Sequence, residues 1–245
     1  MRVDRGMKGP EVAIEDLMVS YYKKDILMGL SLKVGAGEIV TLVGANGSGK
    51  STLLKTVAGV MKARSGCVRL NGDDLTNKKS DELAHMGVAF LMQGGLVFPS
   101  LTVTEHLQLA NQAMKRDDFN RRADAVWSTF PVLHSIRRSR AGFLSGGEKQ
   151  MLGFSMLLMK DAKLWLLDEP TGNLASEAAD ILLSKVEEIN DKEGITVLLA
   201  EQNLTTALRI SNRAFVLRDG LAYERSPESI LNSSLEELFF GESLN

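Results

Sequence analysis

Residues 44–51 read Gly-Ala-Asn-Gly-Ser-Gly-Lys-Ser, which fits the pattern G-x-x-x-x-G-K-[ST] at Gly44, Gly49, Lys50 and Ser51. A nucleoside triphosphate carries several negative charges, so a site for it needs many donors and little bulk. Glycines at 44, 47 and 49 would let the backbone take positive φ and turn its N–H groups inward. Lys50 can reach the β- and γ-phosphates, and the Ser51 hydroxyl can ligate Mg²⁺. The plainer alternative is an ordinary Gly-rich turn between a strand and a helix; the four fixed positions would match by chance somewhere in a chain this long roughly 1% of the time.

A second cluster ends an apolar run: Leu166-Leu-Asp168-Glu169-Pro170. Side chains alternate along a strand, so two neighbours at its end point in different directions and can take different tasks. Asp168 can hold Mg²⁺, directly or through water. Glu169 can face the water that attacks the γ-phosphate, as general base or orienting group. Alone, this pair reads as an acidic turn; beside a phosphate loop it reads as chemistry. A third cluster, Leu144-Ser-Gly-Gly-Glu-Lys-Gln150, precedes a strongly apolar stretch, Met151 to Met159. Ser145 is placed to be a helix N-cap, with Glu148 completing a capping box. The same helix start, with no Cβ at Gly146 and Gly147, would be a second anion site. Two anion sites in one chain are explained if each nucleotide is clamped by the loop of one protomer and by residues 145–147 of another.

These groups need elements to hold them. Glu38-Ile-Val-Thr-Leu-Val43 reads as a buried strand, and Ser51 to Ala58 has helical spacing, so the loop ends at a helix N-terminus where the dipole favours anions. Residues 11–22 and 31–35 read as antiparallel strands, and 66–72 as a short strand before an Asn-Gly turn. Val88 to Met92 is an apolar run. From about 100 to 143 the sequence turns charged and helix-forming, interrupted by Pro131. Strands follow at 163–168 and 195–200, with a helix near 176–191 between them, then a strand pair around Asp219-Gly220. Alternating strands and helices predict an α/β fold with a mostly parallel sheet covered on both faces.

The chain has 245 residues, 44% hydrophobic, and a net charge of −2, enough for a sizeable core and no basis for general attraction to nucleic acid. Cys67 stands alone, which excludes an intrachain disulfide and suits a reducing compartment. The first ten residues are charged and do not resemble a signal peptide, and no window approaches the ~18 apolar residues of a membrane span. The expectation is a cytosolic chain with any membrane role supplied by a partner. His85, His106 and His134 lack metal-ligand spacing and read as structural. Arg137-Arg-Ser-Arg140 reads as a solvated basic loop.

Over nearly its full length the chain resembles the nucleotide-binding subunit of ABC transporters. The Walker A loop (44–51), the signature (144–150) and the Walker B strand with its adjoining glutamate (164–169) occur in family order and spacing. The resemblance implies a P-loop NTPase-type fold spanning 11–245, after an N-terminal extension at 1–10. It also implies an N-terminal antiparallel β-subdomain and an inserted helical subdomain at about 97–150. It implies ATP and Mg²⁺ as ligands. Gly44, Ala45, Asn46, Gly47, Ser48, Gly49, Lys50, Ser51 and Thr52 would hold the phosphates, and Ser145, Gly146 and Gly147 would close on them from the other protomer. Tyr21 matches the aromatic residue that stacks on adenine. Gln93 matches the Q-loop glutamine that reaches Mg²⁺ and the attacking water. Gly94 to Pro99 would form part of the groove for a membrane subunit, provided that its apolar residues are exposed.

Two departures stand out. Most members place a histidine after the strand at 195–200, where this chain has Glu201-Gln202-Asn203, so Gln202 takes that place. The D-loop stretch Gly172-Asn-Leu-Ala175 has Ala175 where many members have Asp. Together with Leu96 to Val103 and Arg140-Ala-Gly142, these resemble the branch serving branched-chain amino acid uptake and related urea or amide importers. The implied function is an ATPase that forms a nucleotide-sandwich dimer, with itself or a sister cassette, and drives permeases from the inner face of the cell membrane. The rivals are a non-transport member of the superfamily and a module that binds nucleotide as a regulator.

Overall fold

Residues 9–22, 24–111 and 114–233 are described by a computed structural model of the chain. The chain opens with β1 (Val12–Tyr21), β2 (Lys24–Val34), β3 (Ile39–Val43) and α1 (Lys50–Val57). It continues through β4 (Ser65–Leu70), β5 (Asp73–Asp74), α2 (Ser80–His85) and β6 (Val88–Leu91). A helical stretch follows: α3 (Val103–Ala110), α4 (Arg116–Thr129), α5 (Pro131–Ser135), a 3-10 turn at Ala141–Phe143, and α6 (Gly146–Leu158). Last come β7 (Leu164–Asp168), α7 (Ser176–Glu193), β8 (Thr196–Ala200), α8 (Leu204–Arg209), β9 (Arg213–Arg218), β10 (Leu221–Arg225) and α9 (Pro227–Asn232).

These elements form two compact units. The first takes the described residues up to Phe90, Ala162–Asp168, and the described residues from Glu187 onward. It contains a sheet in the order β10-β9-β3-β8-β7-β6, in which β3, β7, β8 and β9 run parallel. Every residue of β3, β7 and β8 is buried, as a sheet covered on both faces requires. An antiparallel sheet, β2-β1-β4-β5, shares its core: Leu17, Leu27 and Leu30 join Leu42, Leu53, Leu166 and Leu198 in one apolar cluster. Gly9 and Pro10, assigned by sequence to a terminal extension, are buried, with Gly9 N–H donating to Gly194 and Pro10 C=O accepting from Thr196 Oγ1. Residues 1–8 lie outside the described residues.

The strand expected at 31–35 is longer, running from Lys24 to Val34. Its pairing with β1 slips three times between Ile14 and Ser20, and Gly29 has φ 89. Each slip shifts the buried face, so the period-2 pattern that marks a strand is broken where β2 begins.

The second unit takes Leu91–Asp161 and Glu169–Val186. Its core is built where α4, α5 and α6 meet: Phe130 and Phe154 stack edge to face at 6.1 Å, among buried Val126, Leu133 and Leu157. Pro131 does not break a helix so much as start one, at the first turn of α5, where its missing N–H costs nothing. Arg122 of α4 donates to the Leu158 and Lys160 carbonyls and pairs with Asp161, closing the C-terminal end of α6. Thr102 and Glu105 form a capping box at the start of α3; the Thr102 N–H and hydroxyl hold the Glu105 carboxyl below the usual glutamate range.

Candidate functional site

In the first unit the functional side chains gather at the carboxyl ends of three adjacent strands, where ligands of open parallel sheets bind. The loop 44–49 leaves β3, Asp168 closes β7, and Gln202 follows β8 between them. Ala200 is in register with both Leu42 and Asp168, so loop and carboxylate flank the end of one strand. Gly49 caps α1 at φ 105, and Gly47 has φ 81. Gly44 is a different case from the one its sequence suggests. It is absent from the left-handed residues; its constraint is space, since a Cβ there would lie 2.5 Å from Ser48 Oγ and 2.6 Å from the Leu217 carbonyl.

Lys50 is 5% exposed, and its ammonium donates to the Gly44 carbonyl at 2.6 Å and the Ala45 carbonyl at 3.2 Å. The charge is therefore held over the loop by the loop itself. Thr52 is buried behind it, while Asn46 and Gly47 are exposed. Ser48 Oγ is buried without a hydrogen-bond partner among the described residues, an exception that calls for a ligand or strain to explain it. Ser51 Oγ donates to Asp168 Oδ1 at 2.8 Å. Adjacent oxygens of an octahedron with ~2.1 Å metal–oxygen bonds lie about 3.0 Å apart, so this pair is near the spacing of two ligand positions of Mg²⁺. Tyr21 ends β1 with 44% of its surface exposed, and Gln202 is exposed, with its N–H donating to the buried Glu201 carboxylate.

The second unit holds the remaining groups. Asp168 and Glu169 were expected to diverge through strand alternation. Instead Glu169 has already left the strand, in the left-handed region at φ 49. Its carboxylate accepts from Gln93 Nε2 at 2.6 Å, which brings these two side chains together. Ser145 caps α6 in the expected capping box with Glu148, and Ser145 and Gly146 are exposed. Gly147 has a further duty: a Cβ there would stand 3.1 Å from the Asn173 carbonyl. Leu96 and Phe98 are 70% and 48% exposed, which puts apolar side chains of the 94–99 segment at the surface.

His106, which reads from the sequence as structural, holds the Phe98 segment in place. It is fully buried, accepts the Phe98 N–H at Nε2 (2.8 Å), and donates from Nδ1 to the Thr102 carbonyl (2.7 Å). One ring nitrogen accepts and the other donates, which selects the neutral Nδ1-protonated tautomer. His106→Ala removes the ring and orphans the Phe98 amide, so we expect a loss of about 2–3 kcal/mol in urea unfolding and faster amide exchange at residues 96–99. An unchanged unfolding midpoint would show the ring to be dispensable.

The ABC transporter family matches residues 27–172. The chain belongs to that family. It is an ATP-binding ABC subunit, an ATPase by family. The branched-chain amino acid transport ATP-binding protein BraG of Pseudomonas aeruginosa is 38% identical over 92% of this chain and 98% of its own length. The probable branched-chain amino acid transport ATP-binding protein LivF of Archaeoglobus fulgidus is 36% identical over 92% and 96%. Among solved structures, an ATP-binding subunit of an ABC transporter superimposes with a TM-score of 0.80 at 28% identity, covering 93% of this chain and 97% of that one. This ABC subunit has no described helix long and apolar enough to cross a membrane.

Proposed function

We propose that the chain powers import of branched-chain amino acids, as one of two ATPase subunits on the cytoplasmic face of membrane permeases. The 38% identity to BraG over 98% of that protein carries the solute assignment. Leu96 and Phe98, exposed on the 94–99 segment, are the surface offered to a permease. The gene's deletion in its native host should abolish uptake of labelled leucine at micromolar concentrations. Retained leucine uptake with lost urea uptake would move the chain to an amide importer.

In this reading residues 44–52 bind the phosphates, Lys50 places its charge at the γ-phosphate, and Tyr21 stacks on the adenine. Mg²⁺, with Ser51 and Asp168 among its ligands, would neutralise charge on the β- and γ-oxygens. Glu169 orients the attacking water and takes up its proton; the 2.6 Å contact with Gln93 supports a shared point of action. Ser145, Gly146 and Gly147 complete the cradle of the other protomer's ATP through the free N–H groups of the α6 start. Hydrolysis removes the γ-phosphate that bridges the two surfaces, and the dimer opens. Only this difference in affinity for the closed state can do work on the permeases.

Gln202 can donate its amide to a phosphate oxygen but carries no titratable charge. The wild-type rate should therefore show no ionisation near pH 6.5 from position 202, whereas Gln202→His should introduce one. Identical pH–rate profiles between pH 5.5 and 8 for the two proteins would contradict contact between this side chain and phosphate.

A further inference from the structure

Glu169 occupies a backbone conformation that its sequence argues against. A non-glycine residue at φ 49 is unusual, and one that precedes a proline is normally driven to extended conformations. Such a conformation persists only when its surroundings over-determine it. Here two donors converge on the Glu169 carbonyl: the Gly172 N–H at 3.1 Å and the side-chain amide of Gln150, also at 3.1 Å. The same Gln150 Nε2 reaches the Pro170 carbonyl at 2.8 Å. One amide group thus spans both carbonyls of the Glu169–Pro170 turn.

Gln150 itself is fully buried, and its Oε1 has no hydrogen-bond partner among the described residues. A buried amide satisfied on one side only is a costly choice for filling space, since an apolar side chain of equal length would carry no such penalty. Its value at this position therefore lies in its two donors. Its place in the unit is equally telling. Gln150 lies on α6, in the helix that begins at Ser145 and Gly146. Gly95, two residues beyond Gln93, lies so close to this part of α6 that a Cβ would stand 2.7 Å from the Lys149 carbonyl and 3.4 Å from Gln150 Cα. The Q-loop, the signature helix and the turn bearing Glu169 meet at one residue.

We propose that Gln150 is a positioning residue that sets the Glu169 carboxylate from the signature helix, so that engagement of residues 145–147 by the partner's ATP is relayed to hydrolysis in the same protomer. The proposal rests on the reading of Glu169 and Ser145 given above. It makes the two ATP sites of a dimer dependent on one another through a rigid path: helix start, Gln150 amide, Glu169 backbone, Glu169 carboxylate.

Gln150→Met keeps length and burial and removes both donors. Its kcat for ATP should fall about tenfold, with the nucleotide dissociation constant within twofold of wild type and the Hill coefficient for ATP moving towards one. Lower thermal stability with unchanged kcat and cooperativity would reduce Gln150 to a packing residue and overturn the proposal. If Gln150→Met does not fold, Gln150→Asn keeps an amide one methylene too short for both carbonyls and should give the same split. Should neither fold, hydrogen exchange at the Gln150 side-chain amide of the wild-type protein decides: protection that deepens with ATP supports the relay, and exchange at the solvent rate refutes it. Glu169→Gln, measured in parallel, separates the two levels of argument. If it turns over ATP normally, the underlying assignment is at fault; if it is inactive while Gln150→Met behaves as wild type, only the relay fails.

Discussion

Glu169→Gln is expected to lower ATP turnover by about a thousandfold while leaving ATP binding intact and causing a nucleotide-bound dimer to accumulate. The amide has the shape of the carboxylate but cannot take a proton from water, and positioned general bases are worth roughly 10²–10⁴ in rate. The surrounding hydrogen bonds survive the change. Gln93 Nε2, 2.6 Å from the carboxylate oxygen, can donate equally to an amide oxygen, and the bonds from Gln150 and Gly172 go to the main chain. On the proposed reading, binding depends on other groups, the loop 44–52 with Lys50 and Ser51. Phosphate release under saturating ATP gives the rate, and size-exclusion chromatography with and without ATP gives the association state. Turnover above a tenth of wild type, or a strictly monomeric variant at saturating ATP, would remove Glu169 from the reaction.

Lys50→Ala should weaken ATP binding at least a hundredfold and abolish measurable hydrolysis. Lys50 is 5% exposed and its ammonium is bonded to the Gly44 and Ala45 carbonyls, so it is already in place with little conformational freedom left to lose on binding. Hydrogen bonds to charged groups contribute about 1.5–3 kcal/mol each, and on the proposed reading this one cation would meet two phosphates. Lys50→Arg is the sharper control. The guanidinium is a planar fork that cannot place a point charge over the same two carbonyls. It should retain charge yet lose most of the turnover, which isothermal titration and a coupled phosphate assay can separate. Near-normal activity in Lys50→Arg would mean that charge alone, and not the loop's grip on it, is what counts.

The parts of the site that could be read directly from the chain are those in which chemistry dictates consecutive residue types. Gly44 to Ser51 must combine close backbone approach, a cation and a hydroxyl within eight positions. Ser145 and Glu148 announce a helix start because both hydrogen bonds of a capping box are local. The fully buried strands β3, β7 and β8 are short apolar runs bounded by polar residues, and such runs are legible. Less so was β2, whose irregular register with β1 hides its alternation, and β5, α2, α8 and α9, whose two to six residues are too short to carry a period.

Sequence alone proposed the chemistry: residue types able to meet phosphate, one carboxylate able to meet a metal and another able to meet water. Those properties belong to side-chain type and to spacing within a few residues. Tertiary structure alone decided the geometry that makes them effective. It turns Glu169 left-handed before a proline, spans that turn with an amide from nineteen residues earlier, sets Gly44 against the Leu217 carbonyl, and buries His106 to hold the Phe98 segment. The Gln150 and Leu217 contacts join segments apart in the chain, and such a contact leaves no periodic or compositional trace in either segment; the His106 contact spans fewer residues but follows no helical or strand period.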